Sequence, residues 1–186
     1  MKIILKSSPN FDKKKTRKIK YIIIHYTNLQ STKASLQHLL SKKNKVSAHY
    51  LISDAGKIFS LVEEMNIAWH AGISSWKKDK NLNKNSIGIE LQNTGIDGKY
   101  ENFNIKQIFA LEKLIKIIQA KHKILNCNIL GHSDIAPDRK IDPGPKFPWR
   151  RLFNKGIGIM PKVLPPKTSK VITAKQIEVL QTLLKK

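Results

Sequence analysis

The stretch K-Y-I-I-I-H-Y-T, residues 20–27, decides the fold, because it carries an unbroken run of β-forming residues. A run without polar alternation is typical of a strand that is buried on both faces, as in the middle of an α/β sheet. His25 stands where this strand is predicted to end. Because strand ends line the ligand crevice in open α/β sheets, His25 is a candidate functional residue.

Further strand patterns follow along the chain. Two β-like runs flank D-A-G at residues 54–56, which predicts a hairpin turn. The stretch S-I-G-I-E-L-Q-N, residues 86–93, predicts a strand whose alternation turns Glu90 away from its apolar side. A shorter strand is predicted at residues 128–130, and it leads into His132. Polar side chains therefore fall on or at the end of several predicted strands.

Helical patterns lie between these strands. Residues 31–42 place three leucines on one face, and residues 105–122 keep an apolar stripe with a helical period. Asn104 is the predicted N-cap of the second helix, with Gln107 three residues later to complete a capping box. Strands, helical crossovers and a hairpin together predict an α/β fold with a central mixed β-sheet flanked by helices.

The chain of 186 residues is long enough for one domain with a short appendage. Residues 1–19 are predicted to be a basic, weakly ordered lead-in, and residues 20–156 to be the folded domain. The composition then becomes rich in proline and lysine. Residues 157–186 are predicted to be a linker and the start of a short C-terminal helical extension, with its helix at residues 174–184.

The formal net charge is +22 at pH 7, from 35 Lys and Arg against 13 Asp and Glu, which implies an anionic partner or surface. The positive charge is spread along the whole chain, and no helix-turn-helix, zinc-finger or RNA-binding signature is present. We therefore expect no nucleic-acid partner, and we expect a monomer. One cysteine excludes an internal disulfide.

No apolar run in the sequence is long enough to predict a transmembrane helix. The first residues lack the apolar region and the small-residue cleavage site of a signal peptide. A cytoplasmic location is therefore the default expectation, and a periplasmic one stays open.

Residues 131–144, G-H-S-D-I-A-P-D-R-K-I-D-P-G, combine many polar side chains with two prolines, a pattern that argues against a helix. Two interpretations remain open: a polar surface loop, or a stiff loop that holds metal ligands. Catalytic zinc sites keep three protein ligands and one open position, and His, His and carboxylate is a familiar set. His25, His132 and Asp142 can form such a set of three ligands if the two strands that end at His25 and His132 are neighbours. The turn at Pro143 would help to direct the carboxylate.

Six motifs occur in order along the chain: I-I-I-H-Y-T, S-A-H-Y-L-I, A-W-H-A-G, N-K-N-S-I-G-I-E-L, G-H-S-D-I-A-P-D-R-K-I-D-P-G-P and F-P-W-R. Together they resemble the zinc-dependent N-acetylmuramoyl-L-alanine amidases of the AmpD/AmiD type, which are related to peptidoglycan recognition proteins and phage amidase-type lysozymes. The continuation into G-I-G-I-M-P is similar to the AmiD branch, where it enters a small helical wall-binding module. The resemblance makes residues 20–156 a zinc amidase catalytic domain.

The resemblance also implies the roles of individual residues. It places the ligands of one Zn²⁺ per chain at His25, His132 and Asp142. It makes Glu90 the general base and acid, and Lys140 the group that stabilises the oxyanion. The implied reaction hydrolyses the lactyl amide between N-acetylmuramic acid, or its 1,6-anhydro form, and L-alanine of the stem peptide. Peptidoglycan fragments or murein would then be the partners.

Two further expectations come from the same resemblance. The phage relatives carry a tyrosine where this chain has Ala48, which favours Glu90 for the proton transfer. The expected substrate wall consists of Tyr26, Trp69, His70, Ala71 and Asn83.

The remaining polar residues have plainer interpretations. His49 is expected to be a hydrogen-bonded core histidine, and Asp134 to cap the loop or support a ligand. Asp138 and Arg139 are expected to face solvent or to pair with each other. The alternative to an amidase is a non-catalytic peptidoglycan-binding module. A zincin-type protease is disfavoured, because the chain contains no H-E-x-x-H.

Overall fold

The computed structural model describes residues 2–160, which form a mixed β-sheet with helices on both faces. The strands are β1 (Ile3–Leu5), β2 (Phe11–Asp12), β3 (Tyr21–Tyr26), β4 (Tyr50–Ile52), β5 (Ile58–Ser60), β6 (Ile67–Ala68), β7 (Ser75–Trp76), β8 (Asp79–Lys80), β9 (Ser86–Leu91) and β10 (Ile129–Gly131). The helices are α1 (Thr32–Leu40), α2 (Ile105–His122), α3 (His132–Ile135) and α4 (Trp149–Asn154). Short 3₁₀ segments lie at Lys42–Asn44, Leu82–Asn85 and Asn126–Asn128.

The main sheet has the strand order β1-β5-β4-β9-β3-β10. Its neighbouring strands pair in parallel, except for the antiparallel hairpin of β4 and β5 around residues 54–56. The predicted α/β fold with a central mixed sheet is therefore confirmed, and so is the hairpin. β3 and β9 lie side by side in the middle and are almost wholly buried, which explains the nearly continuous apolar run in β3.

The hydrophobic core lies on both faces of this sheet. On one face β9 packs against α2, and the buried residues that they contribute include Ile87, Ile89, Leu91, Ile108, Leu111, Leu114 and Ile115. On the other face, Leu39 of α1 packs with Leu51 of β4. Farther along that face, Ile23 of β3 belongs to a cluster with Ala71 and Leu82. The segment that carries A-W-H-A-G is thereby anchored against the strand that carries His25.

Helix α2 begins where the sequence predicts, because the Asn104 side chain accepts a hydrogen bond from the backbone N–H of Lys106 at 2.9 Å. The predicted capping box is wrong. Gln107 is buried, and its amide donates instead to the backbone carbonyls of Ile52 and Gln92. This contact ties the helix to the ends of β4 and β9, which a local capping pattern does not reveal.

The apolar stripe of α2 is narrower than its sequence suggests. Ile105 and Phe109 were expected on the buried face, yet they are 50% and 48% exposed. The Arg151 guanidinium lies over the Phe109 ring, 4.6 Å from its centre, and also donates to the Glu112 carboxylate at 2.8 Å. Phe109 therefore packs beneath a cation at the surface and not within the core.

The first residues are more ordered than predicted. Ile3–Leu5 forms the edge strand β1 and pairs in parallel with β5. The backbone pairing continues beyond it, since the N–H of Ser8 donates to the carbonyl of Leu61 at 2.8 Å. Arg17 donates to the backbone carbonyl of Asn66 at 2.8 Å. These contacts between segments far apart in sequence correct the expectation of a weakly ordered lead-in.

The chain leaves the described part of the structure shortly after α4. Ile157, the first residue of the predicted linker, is buried in the main core cluster. The predicted helix at residues 174–184 lies outside the described residues. Within residues 2–160, no helix combines the length and the apolar character needed to cross a membrane.

Candidate metal centre

Three neighbouring strands deliver candidate residues to one edge of the sheet. β3 lies between β9 and β10, and all three run parallel. His25 and Glu90 are register partners on β3 and β9. Gly131 ends β10 opposite Ile24, so the next residue, His132, lies beside His25. The three polar side chains meet because the carboxyl ends of adjacent parallel strands share an edge.

The segment after β10 returns Asp142 to the same place. It begins with the four-residue helix α3, which the sequence pattern did not predict and which forms because both prolines come after it. Asp134 caps this helix, as expected, by accepting a hydrogen bond from the backbone N–H of Gly131 at 2.7 Å. The N–H of Ser133 donates to the backbone carbonyl of Asp142 at 2.9 Å, which closes the segment on itself. The peptide bond between Asp142 and Pro143 is cis.

His25, His132 and Asp142 form a compact, buried cluster of three donor groups. Nδ1 of His25 lies 3.0 Å from Nδ1 of His132. The Asp142 Oδ2 atom lies 2.9 Å and 3.1 Å from these two nitrogens. Tetrahedral zinc, with bonds of about 2.0–2.2 Å, holds its donors roughly 3.3 Å apart, close to these separations. Within residues 2–160, no second group of three or more His, Cys, Asp or Glu donors is this compact.

The hydrogen bonds of His132 indicate that a cation fits between these donors. Its Nε2 atom lies 3.1 Å from the carbonyl oxygen of Ala71, which only accepts hydrogen bonds. A neutral His132 therefore carries its proton on Nε2 and presents a lone pair at Nδ1. That lone pair faces the Asp142 carboxylate, which is also an acceptor. Two acceptors directed at each other in a buried place need a positive ion, so the donor set suits a metal.

The ionisation of the cluster agrees with this interpretation. Burial, and then the charge of nearby His132, lower the pKa of His25 to about 4. Burial acts to raise the pKa of Asp142, but its close contacts with His132 and His25 lower this pKa well below its usual range. At neutral pH the cluster thus offers a neutral imidazole and a carboxylate, the forms that bind metal ions.

Glu90 lies next to the cluster in a different state. Burial, and then the charge of Asp142, raise the pKa of Glu90 to about 8, although the charge of Lys140 acts to lower it. The side chain is only 9% exposed, and its buried Oε2 atom has no hydrogen-bond partner among the described residues. A carboxyl group with an unused oxygen beside a metal site is suited to taking up and returning a proton.

A cavity of about 320 Å³ opens over these groups. Its lining residues include His25, Tyr26, Asn28, His38, His70, Glu90, Ile96, His132, Arg139, Lys140 and Asp142. Lys140 is held at the cavity by its backbone N–H, which donates to the carbonyl of Ala136 at 2.9 Å. The cavity therefore combines two cationic residues, Arg139 and Lys140, with one protonatable carboxyl group and the three metal-binding candidates.

The residues expected to form a substrate wall occupy two different places. Tyr26 and His70 line the cavity, whereas Trp69, Ala71 and Asn83 are not among its lining residues. His70 Nδ1 lies 3.0 Å from Nε2 of His25, on the other side of the ring from Nδ1, which faces the candidate metal cluster. Asn83 Oδ1 accepts hydrogen bonds from the backbone N–H groups of His70 and Ala71, at 3.0 and 2.7 Å. These contacts place the segment behind the metal-binding histidines.

Arg139 is exposed, which agrees with one of its two predicted arrangements, but it also has partners that the sequence did not indicate. It does not pair with Asp138, because its guanidinium donates to the backbone carbonyls of Ala71 and Ile73. Arg139 thus joins the segment after α3 to the segment that carries A-W-H-A-G. An arginine three residues before the predicted ligand Asp142 is the only local signal for this contact, and its partners are distant in sequence.

Two histidines outside the cluster have clear positions. His49 is buried, with its Nδ1 accepting from the N–H of Gly88 at 3.0 Å and its Nε2 lying 3.1 Å from the carbonyl of Asn66, which confirms the expected core histidine. His38 is exposed on α1 and lines the cavity. Asn28 also lines the cavity. Asn28 follows closely after β3, in a loop that leaves a strand end, where such lining residues are expected, whereas His38 lies on α1.

A central sheet that presents two histidines and a carboxylate at its carboxyl edge defines an α/β protein with a candidate metal-binding triad. Residues 15–145 match the Amidase_2 family, described as N-acetylmuramoyl-L-alanine amidase. The chain belongs to this family, which confirms the resemblance seen in its motifs.

The similarity extends to individual relatives. The chain is 43% identical over 156 residues to the N-acetylmuramoyl-L-alanine amidase AmiD of Escherichia coli K12, covering 77% of this chain and 55% of AmiD. It is 35% identical over 166 residues to the 1,6-anhydro-N-acetylmuramyl-L-alanine amidase AmpD of Haemophilus influenzae, covering 79% of this chain and 88% of AmpD. The chain therefore spans about half the length of E. coli AmiD.

Solved structures show the same fold. The complex of E. coli AmiD with anhydro-N-acetylmuramic acid-L-Ala-D-γ-Glu-L-Lys has a TM-score of 0.72 and 38% identity, covering 82% of this chain and 68% of that one. AmpDh3 of Pseudomonas aeruginosa in complex with anhydromuramic pentapeptide has a TM-score of 0.71 and 40% identity, covering 76% of this chain and 61% of that one.

Proposed function

We propose that this chain is a zinc-dependent N-acetylmuramoyl-L-alanine amidase. Its substrates are peptidoglycan fragments or murein, and it hydrolyses the lactyl amide between N-acetylmuramic acid, or the 1,6-anhydro form, and L-alanine of the stem peptide. His25, His132 and Asp142 hold one Zn²⁺. Glu90 is the general base and acid, and Lys140 stabilises the oxyanion.

The observation that carries the proposal is the position of Glu90. A buried carboxyl group with an unpartnered oxygen is costly to keep in a protein that only binds a ligand. Here it is the register partner of His25, so it stands beside the metal-binding cluster and faces the same cavity. This arrangement favours a hydrolase over a non-catalytic peptidoglycan-binding module.

The chemistry assigns one task to each side chain. Zinc, when bound, supplies a Lewis acid that makes a water molecule acidic near neutral pH. Glu90 accepts the proton of the attacking water as the C–O bond to the lactyl carbonyl forms. It then returns the proton to the nitrogen of L-alanine as the C–N bond breaks. The products are the muramic acid carboxylate and a stem peptide with a free amino group.

Lys140 supplies the positive charge that the reaction needs at the carbonyl oxygen. As water attacks, this oxygen gains negative charge, and a cationic donor fixed at the cavity stabilises it more in the transition state than in the ground state. The hydrogen bond between the backbone groups of Lys140 and Ala136 fixes the point from which the Lys140 side chain reaches the cavity. Such preorganisation is what makes an oxyanion-stabilising group effective.

The relatives support the substrate class. The E. coli AmiD and P. aeruginosa AmpDh3 structures are complexes with anhydromuramyl peptides. Both match most of this chain, and the family match over residues 15–145 contains the proposed ligands. We extend that substrate class to this chain on these grounds.

The test is to incubate the protein with purified anhydro-muropeptide and to identify the products by mass spectrometry. We expect free anhydro-N-acetylmuramic acid and a stem peptide that begins with L-alanine. A chelator should abolish their release, and one equivalent of Zn²⁺ should restore it. If the muropeptide binds and stays intact with zinc present, the protein is a peptidoglycan-binding module and the proposal is wrong.

A further inference from the structure

We infer that His70 is a positioning residue, which holds His25 in the orientation and tautomer that direct Nδ1 to the metal. It lies in the middle of a buried hydrogen-bond relay that starts at the backbone carbonyl of Leu82 and passes through the Ser86 hydroxyl. The inference rests on the proposed function, because it concerns the metal site that the amidase reaction needs.

The direction of every hydrogen bond in the relay is fixed at its far end. The Leu82 carbonyl only accepts hydrogen bonds, so the Ser86 hydroxyl, 2.5 Å away, donates its one proton to it. The Ser86 oxygen can then only accept from Nε2 of His70, at 3.2 Å. A neutral His70 with its proton on Nε2 has a lone pair at Nδ1.

The relay ends at the metal-binding histidine. The lone pair of His70 Nδ1 lies 3.0 Å from Nε2 of His25 and accepts its proton. A neutral His25 with its proton on Nε2 is bare at Nδ1, the atom that faces His132 and Asp142. A backbone carbonyl thus sets the tautomer of a metal ligand through two intervening side chains.

The residues of the relay are buried and closely packed. His70 is 6% exposed, and both Ser86 and His25 are almost completely buried. The imidazole rings of His70 and His25 meet edge to face with their centres 5.1 Å apart. Behind His70 there is no space for another side chain, since a Cβ atom on Gly88 would come within 2.4 Å of the His70 ring. This burial strengthens the hydrogen bond from His25 to His70, because it lies in a region of low dielectric constant.

The same segment orients the second histidine ligand. The carbonyl of Ala71 accepts from Nε2 of His132 at 3.1 Å. The Asn83 side chain holds the N–H groups of both His70 and Ala71 with one oxygen. Two adjacent residues, fixed by one asparagine, therefore orient both metal-binding imidazoles. This arrangement explains why His70 and Ala71 lie behind the ligands instead of simply forming a substrate wall.

The test compares two substitutions of His70 in the full chain. His70→Asn keeps a hydrogen-bond acceptor bonded to Cγ, the position that Nδ1 has in histidine. His70→Leu has no acceptor. We expect His70→Leu to weaken zinc binding about 10–100-fold, the usual effect of losing a group that orients a metal ligand. We expect His70→Asn to recover most of that affinity. Zinc affinity is measured by competition with a chromophoric chelator, and the ligand geometry by the visible spectrum of the Co²⁺-loaded protein.

His38→Leu is the matched control, because it removes a histidine that lines the same cavity but hydrogen-bonds to Asn44. Its zinc affinity should equal that of the wild type. The inference is overturned if His70→Leu binds zinc as tightly as wild type and only raises KM, which would make His70 a substrate contact. It is also overturned if His70→Asn loses as much affinity as His70→Leu. Wild-type protein that binds zinc in this His70-dependent way but leaves muropeptide intact would contradict the proposed function alone.

Discussion

His25 and Glu90 are register partners on the two central parallel strands of the sheet. This pairing puts a metal-binding imidazole and a buried carboxyl group side by side without any contribution from a flexible loop. β-sheet register is strongly specified where both faces of the strands are buried, as they are here. The distance between the proposed base and the proposed metal is therefore built into the core of the fold.

Replacing Lys140 tests the proposed stabilisation of the oxyanion. We expect Lys140→Ala to lower kcat about 10²–10³-fold and to leave zinc content unchanged, because the ammonium group acts on the transition state and not on the metal. Steady-state kinetics on anhydro-muropeptide, with zinc measured on the same samples, provides the test. Lys146→Ala, on the exposed chain just after the site, is the control. A Lys140 variant that changes only KM would make this lysine a binding residue.

Replacing Asp142 tests the metal site itself. Asp142→Asn removes the negative charge that faces both Nδ1 atoms, so we expect a loss of zinc affinity larger than the roughly 10–100-fold that follows removal of an orienting group. Asp138→Asn, a substitution of the same kind at an exposed position of the same segment, should bind zinc normally. Both are compared by equilibrium dialysis against buffered zinc. Equal affinities would show that Asp142 is not a ligand.

The space behind His70 supplies an independent prediction. Gly88→Ala places a methyl group against the His70 ring, so that the ring must move away from His25. We expect weaker zinc binding although no ligand has changed. The double variant Gly88→Ala/His70→Ala should bind zinc as His70→Ala alone does, because the methyl group then has nothing to displace. Additive losses in zinc titrations of the three variants would contradict this account.

A stability prediction concerns Glu64, far from the metal site. Its carboxylate accepts hydrogen bonds from Lys121, Tyr50 and His122 at 2.6–2.7 Å. Burial acts to raise its pKa, but these hydrogen bonds lower the pKa to about 2. A carboxyl group whose pKa is lower in the folded state stabilises the protein above its unfolded pKa, and the effect is lost as the pH falls towards the folded value.

Glu64→Gln should therefore lower the free energy of unfolding by about 1–3 kcal/mol above pH 5. The difference from wild type should shrink as the pH falls from about 4.5 towards 2. Urea unfolding of both proteins across this range measures it. Glu63→Gln, at the exposed neighbouring position, should change little at any pH. A Glu64→Gln difference that is constant with pH would show that the ionised carboxylate is not what stabilises the fold.

Much of the fold could be predicted from local pattern. A β-sheet imposes short-range requirements on the sequence. They are visible in the apolar run before His25, in the alternation around Glu90 and in the turn at residues 54–56. Strand ends then gave the positions of His25 and His132, because neighbouring parallel strands share an edge. The order of the strands and the pairing of His25 with Glu90 had to come from the structure or from the family resemblance.

The rest depended on contacts between residues distant in sequence. The sequence alone suggests that His70 lines the substrate cavity, and only the structure shows its hydrogen bonds to His25 and Ser86. Arg139 gave no sign that its partners are carbonyls of the segment after His70. The strand at Ile3–Leu5 is short and is flanked by basic residues in the sequence. Only its pairing with β5 makes it part of the sheet. Such features are set by tertiary packing, which overrides local propensity.

The most direct test of the central claim is the activity of Glu90→Gln at equal bound zinc. The amide keeps the size of the side chain but cannot accept and return a proton. The account predicts that wild type releases the stem peptide from anhydro-muropeptide and that Glu90→Gln, loaded with the same amount of zinc, is slower by about 10²–10⁴-fold. Glu63→Gln should match wild type. A zinc-loaded Glu90→Gln protein with turnover close to that of wild type would contradict the claim that Glu90 transfers the proton.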